Sequence, residues 1–153
     1  MYRLDVFSGM SKDNVNSITN LYYVNGAYED IVEIINRNSS VCTGELYLRK
    51  RGVALHRLTR YSDALLDLEN ANLMYERAST LFTLSDCYEA IGNRKKALEC
   101  LENALRLKDD DYKAKIRLAA LYVSLGREKQ ALDTLNYLDY VLSESEKTED
   151  LEK

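Results

Sequence analysis

Leu84-Ser-Asp-Cys-Tyr88-Glu-Ala-Ile-Gly92-Asn-Arg-Lys-Lys-Ala97-Leu98-Glu-Cys-Leu101 is answered 34 residues later by Leu118-Ala-Ala-Leu-Tyr122-Val-Ser-Leu-Gly126-Arg-Glu-Lys-Gln-Ala131-Leu132-Asp-Thr-Leu135. Leu84, Tyr88, Gly92, Ala97, Leu98 and Leu101 recur type for type at one constant offset. Leu84 and Tyr88 are one helical turn apart, as are Ala97 and Leu101, and a glycine stands between the two segments. Each copy therefore reads as a helical hairpin. A lone hairpin leaves its apolar face open, so hairpins in tandem stack side by side, and the spacing predicts an all-α solenoid.

In the unit 78–111 the first helix is expected from Ser79 to Ile91, with Leu81, Leu84 and Tyr88 on one stripe. The second is expected from Arg94 to Leu107, with Ala97, Leu101 and Ala104 facing back. Gly92 and Asn93 close the first helix, because glycine adopts the left-handed conformation that ends helices. The small Ala97 lets the two helices approach, and a leucine there would cost about 1–3 kcal/mol in overpacking. The unit 112–142 repeats this pattern, with helices expected near Tyr112 to Leu125 and Glu128 to Leu142.

Residues 45–77 repeat it at an offset of 33 through Leu48, Leu55, Tyr61, Ala64, Leu65, Leu68 and Ala71. Gly52 lies within the first helix of that unit, and Thr59 stands where the others carry the turn glycine. The shorter offset predicts a link one residue shorter around Met74-Tyr75-Glu76. A degenerate unit is placed at 12–44, where Tyr28 matches Tyr61 and Ile31 replaces the small alanine. Residues 1–11 form an N-terminal extension. An acidic tail, 143–153, holds five acids against two lysines and is expected to be disordered or a short solvated helix.

These residues resemble the tetratricopeptide repeat family, whose unit is a 34-residue pair of antiparallel helices. Leu84, Tyr88, Gly92, Ala97 and Ala104 carry the resemblance, with Leu118, Ala119, Tyr122, Gly126 and Ala131, and with Gly52, Ala64 and Ala71. It covers 45–142 closely and 12–44 loosely. The tryptophan preferred near the start of each unit is missing, since Leu48, Leu81 and Lys115 stand there. The closing proline is missing too, replaced by Glu76 and Asp109. The resemblance implies a right-handed superhelix whose concave side is lined by the first helix of each pair.

Composition narrows the function. The 153-residue chain has 46% hydrophobic and 30% charged residues and a net charge of −4, most of it in the tail. A near-neutral body argues against nucleic acid, whose phosphates need a basic face. No apolar run approaches the roughly 18 residues of a membrane span, and no basic amphipathic helix marks membrane-surface binding. The expectation is a soluble, cytoplasmic protein. Cys42, Cys87 and Cys100 have neither disulfide nor metal-ligand spacing and are expected to be buried thiols. His56 is the one histidine, expected to be exposed on a polar helix face. No phosphate loop, calcium loop or catalytic constellation appears, so no enzyme, cofactor or metal is expected. Among Asp109-Asp110-Asp111, the last acids precede a helix and cap it.

What remains is a non-catalytic scaffold that holds a peptide segment or partner helix within a multi-protein assembly. Helical arithmetic lines the groove with Arg49, Lys50, Val53 and His56, then Phe82, Thr83 and Asp86, then Lys113, Ile116 and Arg117. Asn16, Asn20 and Tyr23 extend it at one end. Chaperone-adaptor members of the family clamp a C-terminal carboxylate, and Arg49, Lys113 and Arg117 are similar to three of their five clamp residues. Val53 and Thr83 stand where the clamp's asparagines would be. The apolar face of the last helix, Leu132, Leu135, Leu138 and Leu142, has nothing after it to cover it, which predicts self-association or another polypeptide at that end.

Overall fold

The computed structural model describes residues 8–151, with side chains through residue 148. Residues 1–7 of the expected N-terminal extension lie outside it. Eight helices follow one another: α1 Lys12–Val24, α2 Tyr28–Arg37, α3 Glu45–Arg57, α4 Tyr61–Met74, α5 Ala78–Ala90, α6 Arg94–Leu107, α7 Tyr112–Ser124 and α8 Glu128–Leu151. No strand occurs among the described residues. Each odd helix packs on the even helix that follows it, and each even helix packs on the first helix of the next hairpin. The fold is an α-solenoid of antiparallel helix pairs.

One turn is used four times. Gly26, Thr59, Gly92 and Gly126 have φ of 70°, 60°, 84° and 70°. At each, two backbone bonds close the preceding helix. In the third hairpin Gly92 N–H donates to the Glu89 carbonyl at 3.0 Å and Asn93 N–H to the Tyr88 carbonyl at 2.8 Å. Thr59 and Arg60 make the same pair to His56 and Leu55 at 3.0 and 2.9 Å. This is the paired closure of a helix that ends in the left-handed conformation. Thr59 adopts it with a β-branched side chain, where the conformation is costly. The α4–α5 link, residues 75–77, is one residue shorter than the α6–α7 link, 108–111, as the shorter offset requires.

Packing obeys the same period. Ala64, Ala97 and Ala131 are all buried, each where its helix crosses the partner in the hairpin. Facing them is a second run of small residues in register: Thr19, Gly52, Ser85 and Ala119. Gly52 marks the closest approach, since a Cβ built on it would lie 2.6 Å from Leu68 Cγ and 2.8 Å from Leu68 Cδ2. The Ser85 hydroxyl donates to the Ala97 carbonyl at 2.8 Å, tying α5 to α6. In the first hairpin Ile31 fills the volume the alanine leaves elsewhere, and it is buried.

Two details depart from sequence expectation. Lys115 occupies an otherwise apolar position. Its stem is buried and its ammonium lies 4.4 Å from the centroid of the Tyr137 ring, so an aromatic face takes the charge. Residues 143–151 of the acidic tail form no separate short helix, because α8 runs unbroken from Glu128 to Leu151. Neither proline nor glycine interrupts it. Side-chain bonds such as Lys147 Nζ to Glu144 Oε1 at 2.8 Å brace its exposed length. No helix among the described residues is long and apolar enough to cross a membrane.

Candidate peptide-binding groove

The first helices of three successive hairpins, α1, α3 and α5, enclose a cavity of about 560 Å³. Arg49, Lys50, Val53, His56, Thr83 and Asp86 border it, together with Asn20, Tyr23 and Arg57. Phe82, Lys113, Ile116 and Arg117 do not. Phe82 packs instead against the core. The α7 residues lie one hairpin further along, so the expected groove of ten residues divides into a cavity at one end and an open surface at the other.

Lys50 is the centre of the cavity's polar wall. Its ammonium donates to Asn16 Oδ1 at 2.6 Å, Asn20 Oδ1 at 2.7 Å, Thr19 Oγ1 at 2.9 Å and the Asn16 carbonyl at 3.2 Å. All four acceptors are neutral. Burial lowers the Lys50 pKa below the usual lysine value, and the neighbouring Arg49 adds to the effect. Both asparagines turn their oxygens to the lysine, which leaves their N–H₂ groups directed elsewhere. Thr80, buried at the cavity wall, carries a hydroxyl with no hydrogen-bond partner among the described residues.

Arg49 is engaged with its own helix. Its Nε donates to Glu45 Oε1 at 2.8 Å, and Arg77 reaches the same oxygen at 3.0 Å. Burial would raise the Glu45 pKa, but the two arginine hydrogen bonds outweigh it and hold the carboxyl below its ordinary value. At the far wall Asp86 receives Arg117 at 2.5 Å and lies 3.6 Å from His56 Nε2, while Glu89 also takes Arg117, at 3.2 Å. His56 is half-buried, contrary to the expectation of an exposed ring. Burial lowers its pKa; Asp86 opposes this, and Arg57 and Arg117 reinforce it. Lys113 and Arg117 share a helix face, but Arg117 is held by the acids of α5, so the two heads do not converge on one open site.

Burial raises the pKa of all three cysteines. Burial pushes Cys87 up to about 12 and Cys100 up to about 11, so both stay protonated thiols near neutral pH. Cys87 is fully buried, whereas Cys42 and Cys100 are only partly covered. No group of three metal-ligating side chains gathers among the described residues. Asp111 caps α7 as its position implied, accepting from Ala114 N–H at 3.0 Å.

The sequence itself matches one known family over the third hairpin: residues 78–111 fit the tetratricopeptide repeat. Residues 78–111 are thus a tetratricopeptide repeat within an α-solenoid of the same kind of fold. The fold of the chain is similar to the crystal structure of MamA, with a TM-score of 0.78 at 18% identity over 91% of this chain and 81% of that one. The first tetratricopeptide-repeat domain of Spaghetti (RPAP3), bound to the HSP90 peptide SRMEEVD, aligns with a TM-score of 0.70 at 16% identity, over 76% of this chain and 94% of that one. Yeast Tom70 aligns with a TM-score of 0.59 at 32% identity over 62% of this chain, which spans only 20% of Tom70. No curated protein matches the chain.

Sequence reasoning overlooked Thr19, Val24, Ile31, Ser79 and Thr80 at the cavity. A signal existed for Thr80. It shares a register with Tyr47 and Ala114, both buried, so a hydroxyl at that position was bound to be enclosed.

Proposed function

We propose that this protein is a non-catalytic scaffold whose cavity between α1, α3 and α5 receives a peptide segment bearing an acidic residue. The Lys50 ammonium carries the reading, because a half-buried cation among neutral acceptors gains from an anion brought by a ligand. Arg57, at the same wall, adds a second cation, whereas the one acid of the cavity, Asp86, is already taken by Arg117. The Asn20 N–H₂ group supplies a neutral donor for the ligand backbone. Stacked repeats expose such extended binding surfaces.

A random peptide library displayed against the purified protein identifies the ligand, and titration with a fluorescent copy of the selected sequence tests the chemistry. Selected peptides are expected to share an Asp or Glu. Lys50→Met is expected to weaken binding about tenfold or more, the worth of one charge-assisted hydrogen bond. Affinity should fall with added salt. Selection of peptides without acids, or a Lys50→Met protein that binds as wild type does, overturns the reading.

The narrower alternative is a chaperone-type clamp on a C-terminal carboxylate by Arg49, Lys113 and Arg117. The likeness to a repeat domain bound to SRMEEVD favours it. Against it stand the engagement of Arg49 by Glu45 and of Arg117 by Asp86 and Glu89. A clamp requires that amidating the peptide's C-terminus abolish binding and that Lys113→Ala with Arg117→Ala do the same. The acidic side-chain reading requires that amidation and Lys113→Ala alone leave binding unchanged, whereas Arg117→Ala frees Asp86 at the cavity and weakens it.

A further inference from the structure

One residue at the wall of the Lys50 cavity changes charge close to neutral pH. His56 is the chain's single histidine, and an imidazole ordinarily titrates at about 6.5. Five helices surround it. From its own helix, α3, Arg49, Lys50 and Arg57 border the same cavity. From α5, Asp86 Oδ2 stands 3.6 Å from His56 Nε2. From α7, Arg117 reaches across to Asp86 and to Glu89 of α5. From α4, the Tyr61 ring packs edge-on with 6.0 Å between centroids, and α1 contributes Tyr23, beside Arg57.

Asp86 offsets a charge on His56 only in part. Its Oδ1 already takes the Arg117 guanidinium at 2.5 Å, and the 3.6 Å from Oδ2 to the imidazole is too long for a hydrogen bond. A proton on His56 therefore adds positive charge to a wall where Arg49, Lys50 and Arg57 already outnumber Asp86. In the empty cavity burial, Arg57 and Arg117 oppose that proton. A carboxylate brought by a guest favours it, since opposite charge nearby stabilises the charged imidazole. We propose that His56 is the pH sensor of this cavity: the protein takes up a proton together with an acidic peptide, and holds that peptide more tightly at pH 5.5 than at pH 7.5. This coupling rests on the acidic-peptide reading of the cavity. Its sign follows from linkage. The bound carboxylate raises the pKa of His56, so the added affinity is absent well above the value in the complex, grows as the pH falls through it, and is complete below the value in the free protein. The acids of the peptide stay ionised throughout, because they ordinarily titrate at about 4.

The probe is an acidic peptide from the display selection, acetylated and amidated, beside a copy carrying Asn and Gln in place of Asp and Glu. In untagged protein the single histidine gives one imidazole Cε1–H signal in proton NMR. Its titration should move to higher pH when the acidic peptide is bound, and should stay in place with the neutral copy. Wild type should bind the acidic peptide at least about threefold more tightly at pH 5.5 than at pH 7.5. His56→Gln should show no such difference, whatever its affinity at pH 7.5. Helical circular dichroism at both pH values checks that the fold persists. A peptide that needs Lys50 yet binds equally at the two pH values, a His56 titration that the peptide does not move, or a pH dependence that survives His56→Gln each overturns the coupling and leaves the cavity reading standing. A peptide that binds Lys50→Met as it binds wild type overturns the cavity reading, and the coupling with it.

Discussion

The α3–α4 and α5–α6 hairpins solve one packing problem with their residues exchanged. In α5–α6 the glycine is at the turn, Gly92, and a small polar residue, Ser85, is at the crossing. In α3–α4 the glycine is at the crossing, Gly52, and a hydroxyl residue, Thr59, is at the turn. Backbone paths agree nonetheless, since both turns carry the same pair of hydrogen bonds. The period of the repeat specifies a shape, and neighbouring residues decide which side chain can meet it. At Gly52 the decision was made by Leu68, which leans into the space a Cβ would need.

Gly52→Ala should therefore have the largest effect in this comparison. The added carbon would sit 2.6 Å from Leu68 Cγ and 3.3 Å from Asp67 Cβ, so α3 and α4 must part or Leu68 must leave its rotamer. A loss of about 1–3 kcal/mol is expected in urea unfolding. The strain exceeds the gain in helix propensity, which is about 1 kcal/mol for Gly to Ala. Asp67 adds to the cost, because it is held by Arg51 through bonds of 2.6 and 2.8 Å that a shifted α4 would stretch. An unchanged or raised midpoint would mean that the crossing is looser than the Leu68 contact implies.

Thr59→Gly runs the other way. Threonine at φ 60° pays a left-handed penalty that glycine does not. Set against the extra freedom glycine gives the unfolded chain, the net gain is about 1 kcal/mol. Gly92→Thr imposes the penalty on the twin turn and should lose a similar amount. If Thr59→Gly destabilises, the threonine side chain contributes something its glycine counterparts lack, and the two turns are not equivalent.

Ser85→Ala sharpens the contrast at the crossing more gently. It removes the bond to the Ala97 carbonyl and leaves no clash, for an expected cost of about 1 kcal/mol. Ala119, at the same register on α7, already shows that a methyl group fits there. A cost as large as that of Gly52→Ala would place the hydrogen bond, and not the space, at the root of the α5–α6 crossing.

These pairs also mark what the sequence made legible. Periodic small residues and the turn glycines were enough for the helix order, the stacking and the short link before α5, because each depends on local spacing alone. The α6 boundaries, Arg94 to Leu107, and the start of α7 at Tyr112 were read off directly, while both ends of α5 and the end of α7 were missed by one residue. The length of α8 was missed, since the hydrophobic stripe fades after Leu142 while intrahelical side-chain bonds keep the backbone helical. Six of the ten expected groove residues, Arg49, Lys50, Val53 and His56 on α3 with Thr83 and Asp86 on α5, border the cavity, since helical arithmetic puts each set on one face of its helix. What arithmetic could not give was the partnering between helices. That Arg117 is spent on Asp86, and that Lys50 is ringed by asparagines from α1, depends on the rotation of one hairpin against the next.

His56 shows how a small tertiary effect separates the two hairpins in solution. Its counterpart on α5 is Glu89, an exposed acid that meets Arg117, whereas His56 is half-buried beside Asp86 and Tyr61. Because burial lowers its pKa, the folded protein takes up the imidazole proton less readily than the unfolded chain does. The stability tied to the neutral ring is thus complete above the unfolded histidine value, about 6.5, and is lost as the pH falls through that value toward the lower folded one. His56→Gln removes the titrating group and keeps a polar side chain of similar reach. Urea midpoints from about pH 7.5 to 5 should then fall more steeply for wild type than for the variant, with the difference between the two curves changing below about pH 6.5. Curves that stay parallel would mean that Asp86, 3.6 Å away, compensates the burial in full.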